Sequence, residues 1–300
     1  MNRLVVRHSL LLLLAAGIWG FAFVAQSVGM DYVGPFTFTS VRSIIGSAVL
    51  LPLIAFRSKR EETGEKTIDK KGVNRTLLIG GILCGTLLFI ATNFQQIGIQ
   101  YTTVGKSGFV TAMYIVLVPV LGIFLHKKAG WQIWTSVGLA VCGLYFLCMT
   151  ESSFAMELGD LLTLCCAVAF SFQILCVDYF APKVDGVKLA CIQFFTCGVL
   201  SALPMMVFEH PDPAGILAAW LPILYSGVLS NGVAYTLQIV AQPGLNPTVA
   251  SLLMSMESVF SVLAGWLLLH QKLSSREMAG CALMFVAIML VQIRFKTNQK

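Results

Sequence analysis

The chain has 300 residues, 57% of them hydrophobic and only 11% charged, with a formal net charge of +6 and a mean hydropathy of +0.83. A soluble domain averages about 25% charged residues, so this composition excludes an ordinary soluble enzyme. It gives no reason to expect a nucleic-acid partner and asks for burial in a lipid bilayer.

A bilayer core takes about 20 apolar residues per helix. Apolar runs of that length fall near 9–28, 36–56, 76–98, 103–125, 131–149, 158–180, 188–208, 215–239, 246–269 and 277–294. The first follows Arg3 and Arg7 and has the look of a leader, but it has a counterpart later in the chain and is expected to be retained. Between the second and third, Arg57 to Arg75 is charge-rich and too short for a domain, so it reads as a solvated loop. With both termini on the cytoplasmic side, every Lys and Arg except Arg42, Lys106, Lys272 and Arg276 falls on that side. The +6 charge then reflects topology in the cell membrane, with the bilayer itself as a partner.

The ten runs form two sets of five. Gln96-Ile97-Gly98-Ile99-Gln100 matches Gln238-Ile239-Val240-Ala241-Gln242 at an offset of 142, as Gly85 matches Gly227 and Gly138 matches Gly280. Leu125-His126-x-Lys128 matches Leu269-His270-x-Lys272 at an offset of 144. Because five is odd, the second set must cross the bilayer in the opposite sense. The expected fold is an all-α integral membrane protein of ten transmembrane helices, built as two inverted five-helix repeats over 1–150 and 151–300.

Catalytic and metal signatures do not assemble. The nine cysteines all fall in apolar runs without a Cys-x-x-Cys spacing, and are read as small packing groups. His8, His126, His210 and His270 sit near span ends and share no helix face. Gly105-Lys106-Ser107 imitates the end of a phosphate-binding loop but has Gln100 where the leading Gly belongs. No cofactor, metal or enzymatic activity is expected.

Polar groups inside hydrocarbon are costly and usually face the bundle interior or a wet cavity. In the third span Thr86, Asn93, Gln96 and Gln100 lie near one stripe, and in the eighth Asn231, Tyr235, Gln238 and Gln242 do the same. Asn93, Gln96, Asn231 and Tyr235 are read as cavity lining. Gln100 and Gln242, near span ends, are read as bonding to neighbouring helices. Glu257 lies in mid-span: it either binds a cation or carries a coupling proton, or it pairs with Arg42, Lys106 or another polar group. The repeat places Met113 opposite it. Arg42, matched to Gln193, reads as a structural anchor, and Lys106 as reaching for the interface. Trp19, Phe21, Phe23, Phe170, Phe172 and Tyr114 could add aromatic walls. Gly81 with Gly85, Gly138 with Gly143, and Ala279 with Gly280 read as close-packing pairs.

Trp19-Gly20, Arg42, the run Gly105-Lys106-Ser107-Gly108-Phe109-Val110-Thr111-Ala112 leading to Pro119, Gly232-Val233-Ala234-Tyr235, Pro247-Thr248-Val249-Ala250 and Glu257-Ser258-Val259-Phe260 together resemble the EamA branch of the drug/metabolite transporter superfamily. The resemblance spans nearly the whole chain. It implies alternating access through a pathway of helices 1, 3, 4, 6, 8 and 9, with helices 5 and 10 peripheral. Gln271 stands where the family commonly has Glu. The expected function is a secondary transporter, an exporter of small amphipathic metabolites such as amino acids, working by alternating access. A passive facilitator or channel, or a drug efflux protein of the same fold, is the alternative. The pathway set is Trp19, Asn93, Gln96, Tyr114, Asn231, Tyr235 and Glu257, with Glu257, Arg42 and Lys106 as the coupling or ion-pair set. A monomer and a homodimer both remain open.

Overall fold

A computed structural model describes residues 3–61, 70–101, 104–125, 130–148, 158–269 and 274–295. The described chain is helical, and ten helices carry the apolar runs: α1 (Leu4–Gly29), α2 (Pro35–Arg57), α3 (Val73–Gly98), α4 (Ser107–Phe124), α5 (Trp131–Cys148), α6 (Leu158–Lys183), α7 (Gly186–Phe208), α8 (Trp220–Ala241), α9 (Pro247–Leu268) and α10 (Ser275–Phe295). Eight are long and apolar enough to span a bilayer; α5 and α10 contain shorter apolar segments, Ile133–Phe146 and Met278–Leu290. His126, Lys128, His270, Gln271 and Lys272 lie outside the described residues, as does the side chain of Lys106.

Helix boundaries follow the expected spans except before α8. A separate short helix, Pro213–Ala218, capped by the Asp212 carboxylate on the Ala214 N–H at 3.0 Å, precedes it. The break at Ala219 has a local cause: Pro222 lacks an N–H, and its ring would collide with the carbonyl four residues back, so it is tolerated only in a first helical turn.

The packing obeys a two-fold relation. α3 lies against α6 as α8 lies against α1, and α3 against α7 as α8 against α2. α4 meets α6 as α9 meets α1, while α2–α7 and α5–α10 map onto themselves. α5 and α10 pack chiefly on each other, beside the main bundle. Between lipid-embedded helices there is little hydrophobic driving force, so small residues and hydrogen bonds decide the contacts. A Cβ on Gly85 would stand 2.7 Å from the Gln193 carbonyl oxygen, and one on Gly227 would stand 3.1 Å from that of Arg42. These equivalent contacts place Arg42 and Gln193 at matching positions of α2 and α7. Gly143 approaches the Gly280 backbone likewise, whereas Gly138 faces open space and is not a packing site.

Ser40 and Ser47 on α2 donate to the carbonyls of Gly198 at 3.0 Å and Cys191 at 3.1 Å on α7. The Glu209 carboxylate, following α7, accepts from the Phe36 and Thr37 N–H groups at 2.9 and 2.8 Å, filling the unsatisfied donors at the start of α2. The described cysteines are unlinked thiols: Cys84, Cys166, Cys191 and Cys197 are buried in the packing, with Cys84 Sγ 3.3 Å from Cys176 Sγ, while Cys142 and Cys165 are exposed. Outward side chains such as Phe56, Phe124, Leu203 and Phe208 are exposed, as lipid-facing groups should be.

Candidate functional site

Three local irregularities shape the interior. α4 and α9 are both interrupted in mid-span: α4 is broken between the helical segments Val104–Ala112 and Tyr114–Phe124, and α9 between Pro247–Met254 and Glu257–Leu269, segments that overrun the apolar spans slightly at Val104 and Leu269. At the breaks the Met113 N–H donates to Val110 O and the Met256 N–H to Leu253 O, each a contact three residues back rather than four. In α9 the Ser255 hydroxyl takes the Leu252 carbonyl at 2.8 Å and so competes with the helix ladder. Tyr114 and Glu257 each open the second segment. The equivalent of Glu257 is therefore Tyr114 at an offset of 143, and not Met113 as the 144 offset at the span ends indicated.

The third irregularity is in α8, where Tyr225–Tyr235 forms a π-helix. Five positions in an α-helix turn a side chain about 140° past a full circle. A π-helix bonds i to i+5, so residues five apart return to one side. Ser230 and Tyr235 consequently both reach the interior.

There a cavity lies between the repeats, with about 40 Å³ open to the centres of water molecules. α1 contributes Trp19, Phe23 and Gln26, and α6 contributes Phe170, Gln173 and Ile174. Arg42 comes from α2 and Gln95 from α3; Thr111 and Tyr114 come from α4, Ser230, Tyr235 and Gln238 from α8, and Met254 and Glu257 from α9. The Trp19 and Tyr235 rings meet edge to face at 4.7 Å, and Phe194 packs on Tyr235 at 5.7 Å.

Both buried charges of this wall are held without touching each other. Glu257, 8% exposed, accepts from the Tyr114 hydroxyl at 3.0 Å. That bond joins repeat-equivalent residues, so it straddles the two-fold axis. Arg42, 3% exposed, lies 5.5 Å from the Phe38 ring centroid, and its Nε has no hydrogen-bond partner. Of the partners open to Glu257 in the sequence, the structure places a hydroxyl there in preference to Arg42.

The structure thus gathers four of the seven expected pathway residues: Trp19, Tyr114, Tyr235 and Glu257. The other three are turned to helix contacts. Asn93 donates to Phe89 O at 2.8 Å and to Ser201 Oγ at 2.9 Å. Gln96 reaches the Gln26 carbonyl at 3.3 Å, and Asn231 reaches Ser43 Oγ at 3.4 Å. None of these three lines this cavity; Gln95, next to Gln96, does, and it donates to Thr111 Oγ1 at 3.3 Å. Gln100 Nε2 lies 3.9 Å from Met30 Sδ, and Thr86 Oγ1 bonds back to Ile82 O. Among the aromatics Phe23 and Phe170 line the cavity, while Phe172 is 46% exposed.

Gln26, Gln95, Gln173 and Ser230 were not singled out in the sequence. The signal for Gln26 was its place at i+7 from Trp19 and i+3 from Phe23. Gln173 belongs to a glutamine chain: it donates to Gln193 Oε1 at 3.3 Å and accepts from Gln238 at 3.4 Å, while Gln242 donates to Ile174 O at 2.6 Å.

Comparison with known proteins agrees with this architecture. The description "EamA-like transporter family" matches twice, over residues 7–149 and 157–293. An uncharacterized transporter of Archaeoglobus fulgidus is 28% identical over 94% of this chain and 85% of its own length. The uncharacterized transporter YoaV of Bacillus subtilis is 23% identical over 94% and 95%. A crystal structure with 19% identity superposes with a TM-score of 0.78 over 98% of this chain and 99% of that one, and shares the fold.

Proposed function

The chain belongs to the EamA-like transporter family, a family of membrane transporters and not of enzymes, and from that premise we propose that this multi-pass membrane protein exports small amphipathic metabolites, amino acids among them, by alternating access. One observation carries the reading: a cavity at the junction of the inverted repeats, walled by aromatic rings and amides and bearing one buried guanidinium and one buried carboxylate.

About 40 Å³ admits only a few waters. A metabolite therefore enters when one repeat rocks against the other, and leaves when they rock back. The interrupted helices α4 and α9 cross at the centre of that motion. The aromatic faces hold apolar parts of the solute, and the amides take its polar edges. Glu257 carries the coupling proton: a carboxyl in hydrocarbon is tolerated when protonated, hydrogen-bonded or hydrated, and these are the states a proton relay cycles through. The termini face the cytoplasm of a cell membrane, following the distribution of Lys and Arg.

The test is efflux from proteoliposomes containing the purified protein and loaded with an equimolar mixture of the twenty proteinogenic amino acids. Export that rises with an imposed proton gradient, and loses that response in Glu257→Gln, supports the reading. Export indifferent to the gradient replaces it with passive facilitation, and no movement of any amino acid removes the substrate class.

A further inference from the structure

Two donors in the cavity wall are unmet. Arg42 cannot discard its proton, so its charge persists at this depth. Its Nε is buried without a partner, the Phe38 ring supplies only a cation–π contact, and the carboxylate of the cavity lining, Glu257, is engaged by Tyr114. Trp19 Nε1, a group that can only donate, is likewise buried and unpartnered. An arginine serving merely to tie helices together would spend its donors on carbonyls or carboxylates. Here α2 is seated against α8 by its backbone at Gly227 and against α7 by its serines, and the guanidinium is left facing the cavity. The matching residue in the other repeat, Gln193, accepts from Gln173 and does not line the cavity.

We propose that Arg42, with Trp19 as second donor, is the specificity-determining residue that anchors a carboxylate of the transported solute. The proposal rests on the transporter reading and sharpens its substrate class to monocarboxylates. A planar guanidinium matches two carboxylate oxygens at once. One fixed positive charge in a narrow cavity balances a monoanion and leaves a dianion such as a phosphate ester uncompensated. Elsewhere in the lining, Glu257 and the unpartnered Gln238 Oε1 suit a cationic group on the same molecule.

The experiment uses proteoliposomes of the full chain loaded with the twenty amino acids together with their carboxamides, with efflux of every species followed by mass spectrometry. The expected result is export of acids over amides with the intact protein. Arg42→Gln should reduce that acid-to-amide ratio about tenfold or more, Arg42→Lys should keep part of it, and Trp19→Phe should lower it several-fold while keeping the ring. A helix-anchoring role alone would slow acids and amides together. The Trp19→Phe ratio keeps the test decisive if Arg42→Gln fails to elute as a folded protein. Amides exported as fast as acids, or a ratio unmoved by either substitution, overturns the carboxylate anchor while leaving transport standing. Recovery of acid export in the Arg42→Gln, Glu257→Gln double variant would assign Glu257 as the counter-ion of Arg42 and also overturn it. Movement of neither acids nor amides overturns the amino-acid reading as well.

Discussion

The two repeats use one scaffold and differ where they face the cavity. In each, the third helix packs a glycine against the second helix of the other repeat, and the fourth helix breaks in mid-span. The first repeat places a guanidinium at Arg42 and a hydroxyl at Tyr114; the second places amide and carboxylate at the same positions, Gln193 and Glu257. Among the described residues, the second alone carries a π-helix and a chain of glutamines. Symmetry therefore belongs to the scaffold. Chemistry belongs to the departures from symmetry, which put one guanidinium and one carboxyl group into the cavity lining.

Substitutions can break that comparison. The largest effect is expected at the shared glycines: Gly85→Leu and Gly227→Leu should each lose about 3 kcal/mol or more of packing and abolish monodisperse elution in detergent, with similar severity. A tolerated Gly227→Leu beside a lethal Gly85→Leu would undo the equivalence. Next come the axis residues. Glu257→Gln should lower export about a hundredfold and Tyr114→Phe about tenfold, because the first removes the charge and the second only one hydrogen bond to it. Equal losses would mean that the bond matters and the charge does not. Smaller effects separate neighbours on α3: Gln95→Ala should slow export several-fold at unchanged stability. Asn93→Ala should cost about 1 kcal/mol in thermal unfolding at unchanged export. The smallest is expected between aromatics, where Phe170→Ala should impair export and Phe172→Ala should leave it as it was.

The fold was largely legible because hydrocarbon imposes long apolar runs, a five-run repeat reverses direction, and glycines recur at a fixed offset. The site was legible only in part. Trp19, Tyr235 and Glu257 stood out because polar or amphipathic groups in mid-span need an interior place. Gln95 and Gln96 are adjacent, about 100° apart on the helix, and the stripe through Asn93 and Gln100 selects Gln96. A stripe of amides does not tell a cavity face from a helix contact, and here Asn93 and Gln96 of that stripe bond to neighbouring groups. The partnership of Tyr114 with Glu257 was hidden for a different reason. Offsets were read at the span ends, whereas the equivalence that matters is set by the breaks at Met113 and Met256, which hydropathy does not register.

The central claim is that the cavity between the repeats is the solute route and opens to one side at a time. It is tested most directly by a single cysteine at Ser230 in an otherwise cysteine-free protein, exposed to a membrane-impermeant thiol reagent from either face of sealed vesicles. The account predicts modification from both faces, with each molecule open to only one at any moment and with transported solute slowing both rates. Reactivity from neither face, or reagent passing straight through from one side to the other, would contradict it.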